Sequence, residues 1–258
     1  MALDAGELEH IAGVLARSRS ALFVTGAGIS AESGLPTYRG VGGLYDRGPT
    51  EGGVPVEVAL SGRMLRKDPE LCWRYIADIE RACRGARPNR AHRVIASLEE
   101  RLERVWVLTQ NVDGLHRMAG SRKVIEIHGR VHELICTRCT WRDQVTDYSA
   151  LQVPPTCPQC GALVRPDVVL FGEMLPTSAV QELYRQLDLG FDVVFSVGTS
   201  SVFPYIAEPV LRARWRKRTS VEINPGSTAV SDQVTHRIRA KAGAALDAIW
   251  EAYRATAG

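Results

Sequence analysis

The run 26-GAGISAESGLPTYRG-40, directly after 21-ALFVT-25, decides how this chain is read. Residues 21–25 are apolar and end at a glycine, the pattern of a buried strand. Gly26, Gly28 and Ala31 then fit G-x-G-x-x-G/A, a turn that brings backbone against the phosphates of a dinucleotide. In an ordinary dinucleotide fold a long amphipathic helix follows. Here Ser33, Gly34 and Pro36 interrupt it at once. A loop in that position can fold over the nicotinamide ribose and hold it for chemistry at the sugar, breaking the glycosidic bond rather than moving a hydride. The acid that dehydrogenases place on the adenine ribose lies about 20 residues beyond the glycines. Asp46 stands near that distance, but 41-VGGLYDRGPTEGG-53 is not strand-like, and Asn224 is the better candidate.

Working outward, 105-VWVLT-109, 192-DVVFSVG-198 and 219-TSVEIN-224 are short, rich in β-branched residues and bounded by turn signals. They read as buried parallel strands. Helical patterns precede them at 91–102, 178–188 and 206–218, and a leading helix is expected over 6–18. Pro209 is expected to limit the start of the helix at 206–218. Such alternation predicts an α/β fold, a Rossmann-like doubly wound parallel sheet with its ligand at the carboxyl ends of the strands. Polar clusters follow each strand there: Gly26–Ser30, Gln110–Asp113, Gly198–Ser201 and Asn224. The sheet takes up residues 1–45, 91–130 and 165–258. Residues 46–90 read as a helical module around 68-DPELCWRYIADIERACR-84, and 131–164 as a smaller zinc-binding insertion; together these form a small domain.

The zinc reading rests on 136-CTRC-139 and 157-CPQC-160, which are 17 residues apart. Two C-x2-C pairs at that spacing match the template of a structural zinc site. Cys136, Cys139, Cys157 and Cys160 can close a tetrahedral shell with no position left for water. Matched knuckles favour Zn²⁺ over two reduced pairs or a redox motif. Cys72 and Cys83 read as small hydrophobes.

With 258 residues, 45% of them apolar, the chain can bury a full core. A net charge of +3 is too slight to imply nucleic-acid binding. The stretch 212-RARWRKR-218 is basic with one Trp, yet it reads as a solvated helix end. The N-terminal residues carry acids and no long apolar core, and no run approaches a membrane span. A cytoplasmic protein is expected, with no membrane or direct nucleic-acid partner and with a monomer favoured.

The motifs GAGISAESGLPTYRG, 110-QNVDGLH-116, 126-EIHG-129, the two C-x2-C pairs, 171-FGE-173, 198-GTSSVFP-204 and 222-EIN-224 stand in the order seen in sirtuins. The chain resembles that family, the NAD-dependent protein lysine deacylases, from about residue 18 to 245. The resemblance implies that NAD is consumed as co-substrate. The amide oxygen of an acyl-lysine attacks C1′ of the nicotinamide ribose, nicotinamide leaves, and an alkylimidate joins substrate and ADP-ribose. So weak a nucleophile needs the sugar carbon held close.

His128 matches the family's general base, which deprotonates the ribose hydroxyl, and an imidazole with a pKa of about 6.5 suits that task at pH 7. His10, His92, His132 and His236 read as structural, and His116 as an organiser of its loop. Asn111 matches the residue that orients the ribose and a water, with Gln110 beside it. Asp113 and Ile29 match the nicotinamide carboxamide pocket. Gly26, Ala27, Gly28, Ser30 and Glu32 belong to the phosphate loop or its support, and Thr37, Tyr38 and Arg39 to the loop over the cofactor. Gly198, Thr199 and Ser200 match contacts to phosphates and adenosine, Asn224 the adenosine ribose, and Ala242 the adenine. Val169, Phe171, Gly172, Glu173 and Val202 resemble the two edges between which an acyl-lysine peptide inserts as a strand.

The most similar branch includes desuccinylases, which use a Tyr-x-x-Arg pair on the helical module. Aligning 68-DPEL-71 puts Ile76 and Ile79 there; a slip of one gives Tyr75 and Asp78. Neither register supplies an arginine. Ile76 and Ile79 share a helical face, so acetyl and other apolar acyl groups are expected over succinyl. The alternatives are mono-ADP-ribosyl transfer from the same NAD site, and desuccinylation or demalonylation.

Overall fold

The computed structural model describes residues 3–37 and 53–257. Tyr38, Arg39 and Asp46 lie outside the described residues. Helix α1 (Ala5–Arg17) opens on Asp4, whose carboxylate accepts from the Glu7 N–H at 2.9 Å. Strand β1 (Ser20–Thr25) is buried along its whole length, as a run of apolar residues covered on both faces must be. A one-turn helix α2 (Ala27–Ser30) and a 3₁₀ turn over 31–33 follow. They stop at Gly34, whose left-handed backbone (φ 86°) is the stop that the sequence places there.

Helices α3 (Val56–Ala59), α4 (Gly62–Lys67) and α5 (Pro69–Cys83) make the helical module. Asp68 caps α5 by accepting from Leu71 N–H at 3.0 Å, with Pro69 in the first turn. Helix α6 (Arg90–Leu98), strand β2 (Arg104–Thr109), helix α7 (Leu115–Met118) and strand β3 (Val124–Glu126) return the chain to the main sheet. The chain then leaves through β4 (Gly129–Cys136), β5 (Arg142–Gln144) and β6 (Val164–Val168), and comes back as α8 (Thr177–Leu189) and β7 (Val193–Val197). Helix α9 (Pro204–Trp215), strands β8 (Thr219–Ile223) and β9 (His236–Ile238), and helix α10 (Ala242–Ala257) complete it.

Six strands pair in the order β3-β2-β1-β7-β8-β9, all in parallel. The predicted doubly wound sheet is therefore present, with β3 and β9 added at its edges. The order reverses between β1 and β7, so a crevice opens beyond their carboxyl ends, at Gly26 and Gly198. One face is packed by α1, α6 and α10 through Ile11, Leu15, Ile95, Leu98, Ile249 and Trp250. The other is packed by α8 and α9 through Leu183, Leu187, Ile206 and Val210.

One helix boundary differs from expectation. Pro209 lies inside α9, which begins five residues earlier at Pro204. Pro209 stands beyond the first turn, where it removes one i→i−4 hydrogen bond, and the helix continues through it to Trp215.

Strands β5-β4-β6 form a separate antiparallel sheet. Leu60, Leu65, Trp73 and Ile76 of the helical module share one core with Val131, Leu134, Tyr148 and Val164 of this sheet. The Trp73 indole N–H donates to the Val164 carbonyl at 3.0 Å, tying the two. We propose the two-domain partition on that shared core, with one adjustment. The small sheet runs from Gly129 to Val168, so the boundaries at 131 and 164 fall inside its central strand β4 and its edge strand β6.

Candidate active site

A cavity of about 1040 Å³ lies at the carboxyl ends of β1, β2, β7 and β8, under the small module. From the large sheet it is lined by Gly26, Ala27, Gly28, Glu32, Thr37, Gln110, Asn111, Gly198, Thr199, Ser200, Asn224 and Ala242. From the module and its return it is lined by Ile76, Ile79, Val169, Phe171, Gly172 and Glu173, with His128 between the groups. Residues predicted from eight separate stretches thus converge on one space.

The two glycine loops touch directly. Gly28 N–H donates to the Gly198 carbonyl at 2.8 Å. A Cβ on Gly198 (φ 59°) would lie 2.4 Å from the Ile29 nitrogen, so a side chain there would push the loops apart. Amides buttress the contact: Gln110 Nε2 donates to Thr199 Oγ1 at 2.9 Å and to the Thr25 carbonyl at 3.2 Å. Asn224 Nδ2 donates to the Thr199 carbonyl at 3.1 Å. Glu32 accepts from Gly243 N–H at 2.6 Å, in the first turn of α10, where a carboxylate is favoured. Glu32 therefore supports the site by anchoring α10 to the first loop.

Asn111 is buried, and its Nδ2 donates to the Gly26 carbonyl and to Ser30 Oγ, each at 3.1 Å. Ser30 in turn donates to Asp113 Oδ2 at 2.7 Å, and Leu115 N–H donates to Oδ1 at 2.9 Å. Burial raises the Asp113 pKa, and those hydrogen bonds oppose the rise. Asp113 opens on a smaller neighbouring cavity shared with Ala27, Ser30 and Asn111. Ile29 does not join it: its side chain is fully buried in the sheet core, and only its carbonyl is used, by Asn89 Nδ2 at 2.7 Å.

His128 hangs just past β3, which pairs Glu126 with Thr109 of β2 and so carries the ring over the β2 loop. Its Nδ1 lies 3.1 Å from the Gln110 carbonyl and its Nε2 lies 2.8 Å from the Tyr205 hydroxyl. A carbonyl can only accept, so Nδ1 carries the proton and Nε2 presents its lone pair. Burial lowers the His128 pKa, outweighing the Gln110 bond that raises it. The imidazole is neutral at pH 7, as a base must be.

Phe171 ties the return from the small sheet to the helical module: its N–H donates to Leu60 O at 2.9 Å, and its carbonyl accepts from Gly62 N–H at 3.1 Å. Glu173 lines the cavity but is held by Arg165 at 2.5 and 2.8 Å and by Leu170 N–H at 2.9 Å. Its carboxylate shapes this edge. Val202 is 48% exposed and sits outside the cavity lining. On α5, Ile76 and Ile79 line the cavity, whereas Tyr75 does not, and the exposed Asp78 pairs with Arg81 at 2.6 Å. The first register is the one that faces the site. Around these isoleucines stand Leu60, Val112 and Val131. Lys241 is the one cationic lysine or arginine among the described lining residues, and it neighbours Ala242.

The Sir2 family model matches residues 26–204. This chain belongs to the Sir2 family. It is 53% identical over 226 residues to NAD-dependent protein deacylase 2 of Pseudomonas syringae pv. tomato, covering 86% of this chain and 91% of that protein. The like-named protein of Pseudomonas aeruginosa is 50% identical over 235 residues, with 90% and 91% covered. A Sir2 homologue solved as an NAD complex superposes with a TM-score of 0.87 at 36% identity, covering 97% of this chain and 95% of that one. A Sir2 complex with a p53 peptide and NAD⁺ superposes at 0.81 and 32% identity, covering 95% and 97%.

In this Sir2-family chain the four predicted cysteine sulfurs lie within 4.8 Å of one another. Cys136 and Cys160 sulfurs are 3.5 Å apart, and those of Cys139 and Cys157 are 3.6 Å apart. A disulfide needs about 2.05 Å. Four ligands at about 2.3 Å from a tetrahedral zinc stand close to 3.8 Å apart, so the donor set fits Zn²⁺. Cys72 and Cys83 are free thiols apart from that set, raised by burial to about 11 and about 12.

Leu60, Val112, Val131, Phe203 and Lys241 join the lining without having been expected from the sequence, and so does Tyr205, which alone of these touches the His128 ring nitrogen. The GTSSVFP motif ends at Pro204, one residue short of Tyr205, and nothing local distinguishes a tyrosine in the first turn of a helix. His116 does organise its loop, through Thr25 Oγ1 at 3.0 Å. His92 and His116 are buried and meet edge to face at 4.8 Å. No described helix is long and apolar enough to cross a membrane.

Proposed function

We propose that this Sir2-family protein is an NAD-dependent protein lysine deacylase that yields nicotinamide and an O-acyl-ADP-ribose. The observation that carries this reading is His128, neutral and with its lone pair at Nε2, facing a cavity that joins a dinucleotide crevice to an apolar pocket. The relatives named as NAD-dependent deacylases support it, since the match spans most of both chains.

Bound NAD supplies an electrophilic sugar carbon with nicotinamide as its leaving group. The glycine loops at Gly26–Gly28 and Gly198–Ser200 take the phosphates, Asn224 and Ala242 the adenosine. Asn111 orients the nicotinamide ribose, and Asp113 accepts from the carboxamide. Thr37 lines the cofactor side of the cavity. His128 takes the proton of a ribose hydroxyl at Nε2, while the Gln110 carbonyl holds Nδ1–H and stabilises the imidazolium that forms. Cys136, Cys139, Cys157 and Cys160 hold a structural Zn²⁺ outside the reacting centre.

The acyl-lysine peptide lies between the Val169–Glu173 edge and the rim at Val202, adding main-chain hydrogen bonds in the manner of a strand. The acyl group enters among Ile76, Ile79, Leu60, Val112 and Val131. An acidic acyl end would lose its water there without gaining a cation, so acetyl, propionyl and butyryl lysine are preferred over succinyl and malonyl lysine. The test is release from one peptide carrying acetyl, butyryl or succinyl lysine, with NAD omitted in one arm and His128→Ala in another. Apolar release that needs both NAD and His128 supports the reading. Preferred succinyl release overturns the pocket assignment. NAD consumption with ADP-ribose appearing on protein, and no deacylation, replaces the reading with ADP-ribosyl transfer.

A further inference from the structure

The hydroxyl of Tyr205 occupies the lone pair that the base needs. Its oxygen stands 2.8 Å from His128 Nε2, and the tautomer set by Gln110 makes the phenol the donor. Tyr205 lies in the first turn of α9, 77 residues along the chain from His128. Its ring is stacked on Phe203, with centroids 5.6 Å apart and planes 13° apart, and both rings stand edge-on to the imidazole. Phe203, Tyr205 and His128 all line the cavity. A substrate hydroxyl can reach Nε2 in two ways: it displaces Tyr205, or it hands its proton through Tyr205.

We propose that Tyr205 is a further catalytic residue, a relay that passes the proton of a substrate sugar hydroxyl to Nε2 of His128. The inference rests on the reading of His128 as the base. A phenol that donates to Nε2 keeps oxygen lone pairs free to accept from a hydroxyl in the cavity. In one step the substrate O–H bond breaks and its proton joins the Tyr205 oxygen, while the Tyr205 proton moves to Nε2. The phenol is neutral before and after. The positive charge ends on the imidazolium, whose Nδ1–H stays on the Gln110 carbonyl, and the electron pair stays on the attacking sugar oxygen. No oxidant or further reactant is needed. Displacement is the poorer route, because the imidazole is pinned at Nδ1 and the phenol by its stack on Phe203. Burial pushes the Tyr205 pKa up to about 12, so the phenol holds its proton at neutral pH.

Tyr205→Phe removes the oxygen and keeps the ring and its stack. Nitrogen NMR of the ligand-free protein reads the bond without any turnover: His128 Nε2 is expected as an unprotonated acceptor whose resonance shifts in Tyr205→Phe. With NAD and acetyl-peptide bound, Tyr205→Phe should leave NAD affinity unchanged and slow acyl transfer by about 100-fold, the low end of acid–base contributions. Rates in mixtures of H₂O and D₂O should curve for the wild type, with two protons in flight, and become linear in Tyr205→Phe. An active wild type with an equally fast Tyr205→Phe, or an Nε2 resonance indifferent to the substitution, overturns the relay and leaves His128 as the direct base. A wild type that deacylates nothing overturns the deacylase reading, and the relay falls with it.

Discussion

Strands β1 and β7 of the large sheet are buried at every residue, whereas β5 of the small sheet is exposed throughout and β4 is buried only at Val131, Leu134 and Cys136. The large sheet is covered by helices on both faces and is held by apolar burial. The small sheet has one apolar face, turned to α5, and four sulfurs gathered at its far end. A three-stranded sheet of that size has little core to rely on, and the metal supplies what burial does not. The cavity lies where the two meet. Its polar wall belongs to the large sheet and its apolar wall to the small module.

Metal removal should separate the two sheets most sharply. Structural zinc contributes on the order of 10–16 kcal/mol of apparent binding free energy, so strong chelation or Cys157→Ser should unfold the small sheet while the large one persists. Amide exchange would check it: β4 and β6 are expected to lose protection and β1 and β7 to keep it. Retained protection in β4 would mean that the apolar face suffices.

Next in size is His128→Ala, expected to lower deacylation by about 10²- to 10⁴-fold without moving the urea midpoint. Parallel loss of activity and stability would make His128 structural.

Acid should act on the large sheet through its buried histidines. Burial lowers His92 to about 4 and His116 well below its ordinary value, against about 6.5 when unfolded. Between those values the unfolded chain binds protons that the native one refuses. Stability is therefore complete above pH 6.5 and falls as the pH drops toward 4, by roughly 3 kcal/mol for His92 alone. Urea titrations at pH 7 and pH 4.5, read by exchange in β1, should show the loss. His92→Gln should remove the His92 share and leave the part due to His116.

The smallest effect sharpens the apolar wall. Ile79→Arg puts a cation three residues from Ile76 and should move the succinyl-to-acetyl ratio toward succinyl by about 10- to 100-fold, the order of one pocket contact. An unchanged ratio would place acyl selectivity outside α5.

Chemistry concentrated in consecutive residues was legible early. The break at Ser33–Pro36, the order of the buried strands and the cysteine knuckles all depend on neighbours along the chain, and each stands where expected. Side-chain partners far away in sequence are visible only in the fold. Ile29 adjoins the phosphate turn yet points into the core, because the loop around it is wedged by Gly198. Glu173 lines the cavity with its carboxylate already held by Arg165. Pro209 looked like a helix boundary, but α9 had already begun under Phe203 and Tyr205.

Residue order alone fixes that a dinucleotide turn without its long helix heads a parallel sheet, that four thiols gather for zinc, and that His128 follows a strand into the cleft. Those properties follow from residue type and spacing, which act over a few bonds. Which face of α5 meets the cavity, and which hydroxyl meets His128 Nε2, are set by packing between distant segments. The Tyr205 contact joins residues 77 positions apart. No local preference encodes such a contact; it exists because two strands and a helix, each packed for its own reasons, end at the same edge of the sheet.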